Sequence, residues 1–261
     1  MKRAPRLLVS GLITGFGGGL ASLGGGTLLI PLLTEWVGMS QLEARGTAMA
    51  AAFFTAITGA LTYGLHGSVN WDTVLWTGIP AMICAPIAAR LSAGWPQLSL
   101  RRFFGVIVLL GAAALIFKHS AHAGFASAWP VPWLILVGIV AGIIAGVVGI
   151  SGGPVLAPLF VMGMNMPQQL AQGSSLVSRL PAIASGVAED WREGTVRWRA
   201  LPWLAIGIII GTVIGGLLAV HMPEKMLRWI FAALLFLLGL HEIAGRPLHH
   251  DVDHRPHGTY P

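Results

Sequence analysis

Apolar segments follow one another along almost the whole chain of 261 residues, and short clusters of glycine, proline and charge separate them. Most segments are long enough to cross a membrane, which takes about 20 residues. The second segment of each half has only about a dozen. The pattern predicts an all-α polytopic membrane protein. The predicted segments are 7–22, 26–37, 42–65, 72–91, 102–118, 134–149, 153–164, 170–188, 201–220 and 227–244.

The two halves of the chain have the same pattern. A shift of 127 positions aligns them without a gap from about Gly11 to Leu110. The chain is therefore a duplication with a first repeat at 1–118, a linker at 119–132, a second repeat at 133–245 and a polar, His-rich tail at 246–261. Pairs that the shift matches include Gly11, Gly15 and Gly19 with Gly138, Gly142 and Gly146, and Trp71 and Trp76 with Trp198 and Trp203.

The short second segment of each half leaves two topologies open. Fused to the first segment, it gives eight crossings and two parallel repeats; folded back, it gives ten elements and two inverted repeats. The ten-element topology leaves only Lys118, Lys225 and Arg228 on the side opposite the N-terminus. Because cytoplasmic loops carry the excess of Lys and Arg, we favour inverted repeats of about five segments. Each repeat then opens with a glycine-broken helical hairpin, and both termini are cytoplasmic.

Composition excludes several function classes. Only 10% of the residues are charged, against about 25% in soluble domains, so the bilayer is the solvent and no room remains for a soluble catalytic domain. The net charge of +6 comes from residues scattered at segment ends, which argues against nucleic acid. The single cysteine, Cys84, excludes an intrachain disulfide. The basic N-terminus is similar to a signal peptide, but its apolar run recurs internally, so we expect it to stay in the membrane.

The glycine breaks are candidate anion sites. Helix packing explains glycines spaced four apart, such as Gly11 and Gly15, but it does not call for consecutive glycines followed by a new short helix. The first N–H groups of such a helix are unpaired and carry partial positive charge, which favours an anion. The two breaks lie at Gly24, Gly25 and Gly26, and at Ser151, Gly152 and Gly153.

The segment after the second break adds polar side chains. Gln172, Ser175 and Arg179 share one helix face, and Thr47 and Ser174 add hydroxyls. An intramembrane arginine costs roughly 2.5–3.5 kcal/mol, so Arg179 needs an anionic partner. That partner is either the substrate, which we favour, or a structural carboxylate. The carboxylates considered are Glu35, Glu189 and Asp190.

The duplicated motifs resemble a known family. "GFGGGLASLGGGTLLIPLL" and "GIIAGVVGISGGPVLAPLF" are each followed by Gly-Thr or Gly-Ser and then by a Gly-x-Val-x-Trp loop. This order is similar to that of the TauE/SafE sulfite exporter family over most of residues 7–244. The resemblance implies a secondary transporter of sulfur-containing oxyanions or organosulfonates in the bacterial cytoplasmic membrane.

Other functions remain open at this point. A passive anion channel is one alternative. Gly149-Ile150-Ser151-Gly152 also matches the serine motif of rhomboid-type intramembrane proteases, although Ser151 fits a helix N-cap. We expect a non-enzyme with no cofactor and no metal site, the tail histidines being solvated. Its partners are a small anionic substrate and the lipid bilayer, with coupled protons and a homodimer as hypotheses.

Overall fold

The computed structural model describes residues 4–23, 26–91, 97–117, 130–148 and 153–244. Within these ranges the chain is helical apart from short connections and contains no strand. Four of the described helices (α3, α6, α10 and α11) are long and apolar enough to cross a membrane. The predicted all-α membrane fold is therefore confirmed. The helices are α1 Ala4–Ala21, α2 Gly26–Pro31 with a π-helical continuation Leu32–Val37, α3 Gln41–Leu65, α4 Trp71–Leu91, α5 Gln97–Phe117, α6 Pro130–Val148, α7 Gly153–Gly163, α8 Gln168–Ser178, α9 Leu180–Arg192, α10 Leu201–His221 and α11 Glu224–Ala244.

The short second segment of each repeat folds back along the first. Arg6, near the start of α1, donates a hydrogen bond from Nη1 to the carbonyl oxygen of Trp36 at 3.2 Å. The chain has thus returned to the level at which α1 began. In the second repeat Gly163, the last residue of α7, lies against the ring of Trp133 near the start of α6. These two contacts occupy equivalent positions, so both repeats open with a hairpin.

The helix predicted over 170–188 is interrupted in the structure. Helix α8 ends at Ser178, Arg179 adopts φ −95° and ψ −8°, and α9 begins at Leu180. Pro181 stands in the first turn of α9. It has no N–H to continue the α8 ladder, and its ring crowds the preceding turn. The equivalent residue of the first repeat is Phe54, and α3 runs unbroken past it.

Glycine stripes pack the two repeats together. Helix α1 of the first repeat packs on α10 of the second, and α6 packs on α4 in the equivalent way. The backbones approach so closely that a Cβ at any of these glycines would strike the facing helix. Packing therefore accounts for the four-residue spacing. The contacts are Gly11 with Leu204, Gly15 with Ile208 and Gly19 with Thr212, then Gly138 with Thr77 and Gly142 with Ala81.

Equivalent helices of the two repeats run in opposite directions where they meet. Gly59 of α3 faces Leu176 of α8, and Met49 of α3 faces Gly186 of α9. The two contacts are equivalent, because Met49 and Gly59 of the first repeat correspond to Leu176 and Gly186 of the second. Advancing along α3 thus means going back along α8 and α9, which is the order that inverted repeats require. The orientation of the repeats in a membrane stays a prediction.

Candidate functional site

The tip of the first hairpin meets the start of α7. Ser22, which follows α1, is buried in a left-handed conformation with φ 53°. Its hydroxyl donates a hydrogen bond to the carbonyl oxygen of Gln172 at 2.9 Å. Its own carbonyl oxygen lies against the Cα of Gly153, the first residue of α7. The structure thus brings the region of the first glycine break to the helix start that follows the second.

The guanidinium group of Arg179 occupies the same place. It lies against Gly153 on α7, and the residue is only 3% exposed. The pairing of α3 with α8 and α9 places Arg179 near the middle of α3, between the levels of Met49 and Gly59. The positively charged guanidinium therefore lies deep inside the protein, at the start of α7.

The carboxylates considered as structural partners lie elsewhere. Glu189 and Asp190 are near the far end of α9, about 15 Å of helix rise from Arg179. Asp190 there accepts a hydrogen bond from the Thr195 hydroxyl at 3.4 Å. Glu35 adjoins Trp36, which is level with the start of α1 and not with Ser22 at its end. None of these three carboxylates belongs to the cluster around Gly153, so pairing of Arg179 with the substrate stays a prediction.

The side chain of Gln172 joins the cluster through Tyr63. The Tyr63 hydroxyl lies 2.9 Å from the carbonyl oxygen of Gly19 and 2.8 Å from Oε1 of Gln172. It has one proton, so it cannot donate to both at once. Exchanging the amide oxygen and nitrogen of Gln172 lets the amide donate to Tyr63 while Tyr63 donates to Gly19. Either assignment leaves one buried amide atom without a partner among the described residues.

Tyr63 was not among the predicted site residues. It is one of only two tyrosines in the chain and stands near the C-terminal end of α3. A buried phenol requires a hydrogen-bond partner, and that requirement is the signal in the sequence that would have identified it.

Two hydroxyls of α8 also lack partners. Ser175 and Ser178 are fully buried or nearly so, and neither hydroxyl has a hydrogen-bond partner in the part of the chain that the structure describes. Together with Gln172 on the same helix and Arg179 directly after its end, they provide two hydroxyls, an amide and a guanidinium. All four groups can donate hydrogen bonds to an oxyanion.

Thr47 and Ser174 occupy equivalent positions, and the structure places both against loops. The Thr47 hydroxyl accepts the backbone N–H of Arg197 at 3.0 Å. The Ser174 hydroxyl accepts the backbone N–H of Asn70 at 2.9 Å. Each repeat thus holds the Gly-x-Val-x-Trp loop of the other. The structure gives these two hydroxyls a role in joining the repeats, apart from the cluster at Gly153.

The two glycine breaks differ in how they are filled. Gly153 is buried and packed between Ser22 and Arg179, whereas no atom of the described residues lies within 4 Å of a Cβ placed on Gly26. The space beside Gly26 is therefore open, and the space beside Gly153 is occupied. The other predicted residues of the breaks (Gly24, Gly25, Ser151 and Gly152) lie outside the described residues.

Comparison with known proteins assigns the family. The model of the sulfite exporter TauE/SafE family matches residues 1–115 and 134–259. The chain belongs to this family. The match leaves out residues 116–133, and it reaches into the polar tail, which the motifs had placed outside the resemblance.

Relatives of this TauE/SafE protein are named as transporters. The probable membrane transporter protein YunE of Bacillus subtilis is 25% identical over 258 residues, covering 89% of this chain and 94% of the relative. The probable membrane transporter protein MJ0441 of Methanocaldococcus jannaschii is 24% identical over 252 residues, covering 90% and 94%. Similarity thus extends over nearly the full length of both proteins. The chain is an integral membrane protein of a transporter family.

Proposed function

We propose that this protein is a secondary transporter of a small sulfur-containing oxyanion or organosulfonate of the sulfite type. The observation that carries the proposal is the position of Arg179, whose buried guanidinium lies at the first residue of α7 beside the carbonyl of Ser22. The anion binds there, between the tips of the two hairpins.

The chemistry of the cluster suits an oxyanion. The planar guanidinium offers two parallel N–H donors to oxygens of one anion. Helix α7 directs its unpaired N–H groups and the positive end of its dipole to the same place. The amide of Gln172 and the hydroxyls of Ser175 and Ser178 provide further donors, and glycine at 26 leaves room for close approach to the backbone.

The position of the cluster also suits alternating access. In transporters built from inverted repeats, the substrate site lies where the repeats meet, and broken helices point their ends at it. Here the antiparallel pairing of α3 with α8 and α9 centres close to Arg179. We also propose that the protein is a multi-pass protein of the bacterial inner membrane. Its termini are cytoplasmic, as the distribution of Lys and Arg predicts.

Catalysis is the less favoured function. The names of the relatives describe membrane transporters. A rhomboid-type protease would pair Ser151 with one histidine from another helix, and the later histidines outside the tail are His221 and His241. His221 stands at the exposed end of α10, where its ring packs on His66 at 5.6 Å between centroids. Its Nδ1 is occupied by the carbonyl oxygen of Leu217 at 2.8 Å. We propose that Ser151 acts as a helix N-cap.

Uptake of labelled sulfite by proteoliposomes tests the proposal. We expect the wild type to take up sulfite and to exchange external label against unlabelled internal sulfite, with and without an imposed pH gradient. Faster uptake of label when the vesicles contain unlabelled sulfite, measured with the membrane potential held at zero, distinguishes a transporter from a passive channel, because a channel does not couple inward to outward movement. Arg179→Ala is the matched negative control. Absence of sulfite flux in the wild type would contradict the substrate class.

A further inference from the structure

Gln168 is a buried amide that the candidate site does not use. It is the first residue of α8 and is fully buried. Neither its Nε2 nor its Oε1 has a hydrogen-bond partner among the described residues. A buried amide of this kind loses its hydration without compensation, so the polar group calls for a ligand that this conformation lacks.

Gln168 continues a polar stripe that ends at the candidate site. Residues 168, 172, 175 and 179 are spaced by four, three and four, which places them on one face of α8. All four are buried. The stripe runs about 16 Å along the helix from the start of α8 to Arg179. It therefore joins one end of the helix to the centre of the protein.

The first repeat shows that the fold does not require the inner half of this stripe. The equivalent residues of α3 are Gln41, Arg45, Ala48 and Ala52. Gln41 and Arg45 are exposed at the start of the helix, and the two alanines are buried. At the two inner positions, the first repeat thus has alanine where the second repeat has Ser175 and Arg179. The fold therefore does not require a polar side chain at the positions of Ser175 and Arg179.

We propose that this face of α8 is the path by which the anion travels between one membrane surface and Arg179, and that Gln168 is its first buried contact. This inference rests on the proposed function. The amide N–H₂ of Gln168 donates to an oxygen of the anion as its water is removed, and Gln172 and Ser175 then replace Gln168. In the present conformation the path is closed, because all three side chains are fully buried.

Gln169 is a matched control on the same helix turn. It is only partly buried, and its Nε2 donates a hydrogen bond to the carbonyl oxygen of Met222 at 2.9 Å. The two neighbours therefore have the same side chain, but only that of Gln169 has a hydrogen-bond partner among the described residues. Gln169 fastens α8 to the end of α10, whereas Gln168 fastens nothing in the described part of the chain.

The test compares Gln168→Leu with Gln169→Leu in purified protein and in proteoliposomes. We expect Gln168→Leu to unfold at the same temperature as the wild type or above it, and to keep the stabilisation by sulfite that depends on Arg179. Its initial rate of sulfite transport should fall by about tenfold, as expected for one lost hydrogen bond to a charged ligand. Gln169→Leu should unfold at a lower temperature and keep its transport rate per folded molecule.

An unchanged transport rate in Gln168→Leu would overturn the proposed path. Cysteine modification gives a second measurement if that variant folds poorly. Gln168→Cys in a Cys84→Ser background should react with an anionic methanethiosulfonate reagent during transport, and saturating sulfite should slow the reaction. Lack of reaction, or no protection by sulfite, would also overturn it. Failure of the proposed function is a different result, in which the wild type itself neither transports sulfite nor is stabilised by it.

Discussion

The guanidinium of Arg179 and the carbonyl oxygen of Ser22 both lie against the Cα of Gly153. A Cβ at this position would meet the guanidinium and would lie 2.5 Å from the Ser22 oxygen. Because Gly153 has no side chain, the guanidinium can occupy the space at the start of α7. The contact also ties the first hairpin to the second at the point where we place the anion.

Gly153→Ala should displace Arg179 and abolish sulfite transport, because the added methyl group occupies the place of the guanidinium. Gly26→Ala is the matched variant, since a Cβ there has no neighbour within 4 Å. We expect Gly26→Ala to fold as the wild type does but to bind sulfite more weakly, because the methyl group blocks approach of the anion to the backbone. Sulfite transport and thermal unfolding of both variants check this. Full transport by Gly153→Ala would show that the contact with Arg179 is unimportant.

Thr47→Val and Ser174→Ala should each destabilise the protein by about 0.5–1.5 kcal/mol, the net contribution of a typical hydrogen bond, because the loop N–H groups are only partly buried. Both remove the acceptor of a loop N–H from the other repeat. Because the two contacts are far apart, their effects should add in the double variant. Reversible unfolding in detergent measures the changes. Ser185→Ala is the control, since that exposed hydroxyl bonds only within its own helix turn and its loss should change stability by less than about 0.5 kcal/mol.

Cysteines at His66 and Glu193 should lie on opposite sides of the membrane if the repeats are inverted. The two positions are equivalent, and both are exposed. Thr195, in the same loop as Glu193, is less suitable for labelling because it is buried against Asp190. In a Cys84→Ser background, an impermeant reagent applied from outside intact cells should label only one of the two. Labelling of both from the same side would contradict inversion.

Much of the fold follows from local pattern. The apolar segments and their glycine and proline boundaries predict the ends of the described helices to within five residues, except that α8 and α9 are predicted as one helix. The folded-back hairpins follow from charge placement, because the distribution of Lys and Arg separates the two topologies. The break at Arg179 does not follow from the continuous apolar pattern over 170–188, which predicts a single helix, although Pro181 signals an interruption.

The candidate site was harder to predict than the fold. The sequence indicates Arg179, Gln172 and Gly153, which the structure brings close together. It gives no reason to separate Thr47 from Ser175, because both are hydroxyls on apolar helices. Only the structure shows that the Thr47 hydroxyl holds a loop of the other repeat, since long-range pairing of that kind leaves no local pattern.

The sulfite-induced rise in unfolding temperature tests the central claim most directly when wild type, Arg179→Lys and Arg179→Ala are compared. At about 100 times the dissociation constant, a ligand stabilises by about 2.7 kcal/mol, so the wild type should show a clear rise. Arg179→Lys should keep part of it, because lysine retains the charge but loses the planar fork. Arg179→Ala should fold normally and show none. If Arg179→Ala is stabilised by sulfite as strongly as the wild type, or loses its fold along with its response, Arg179 is not the anion ligand.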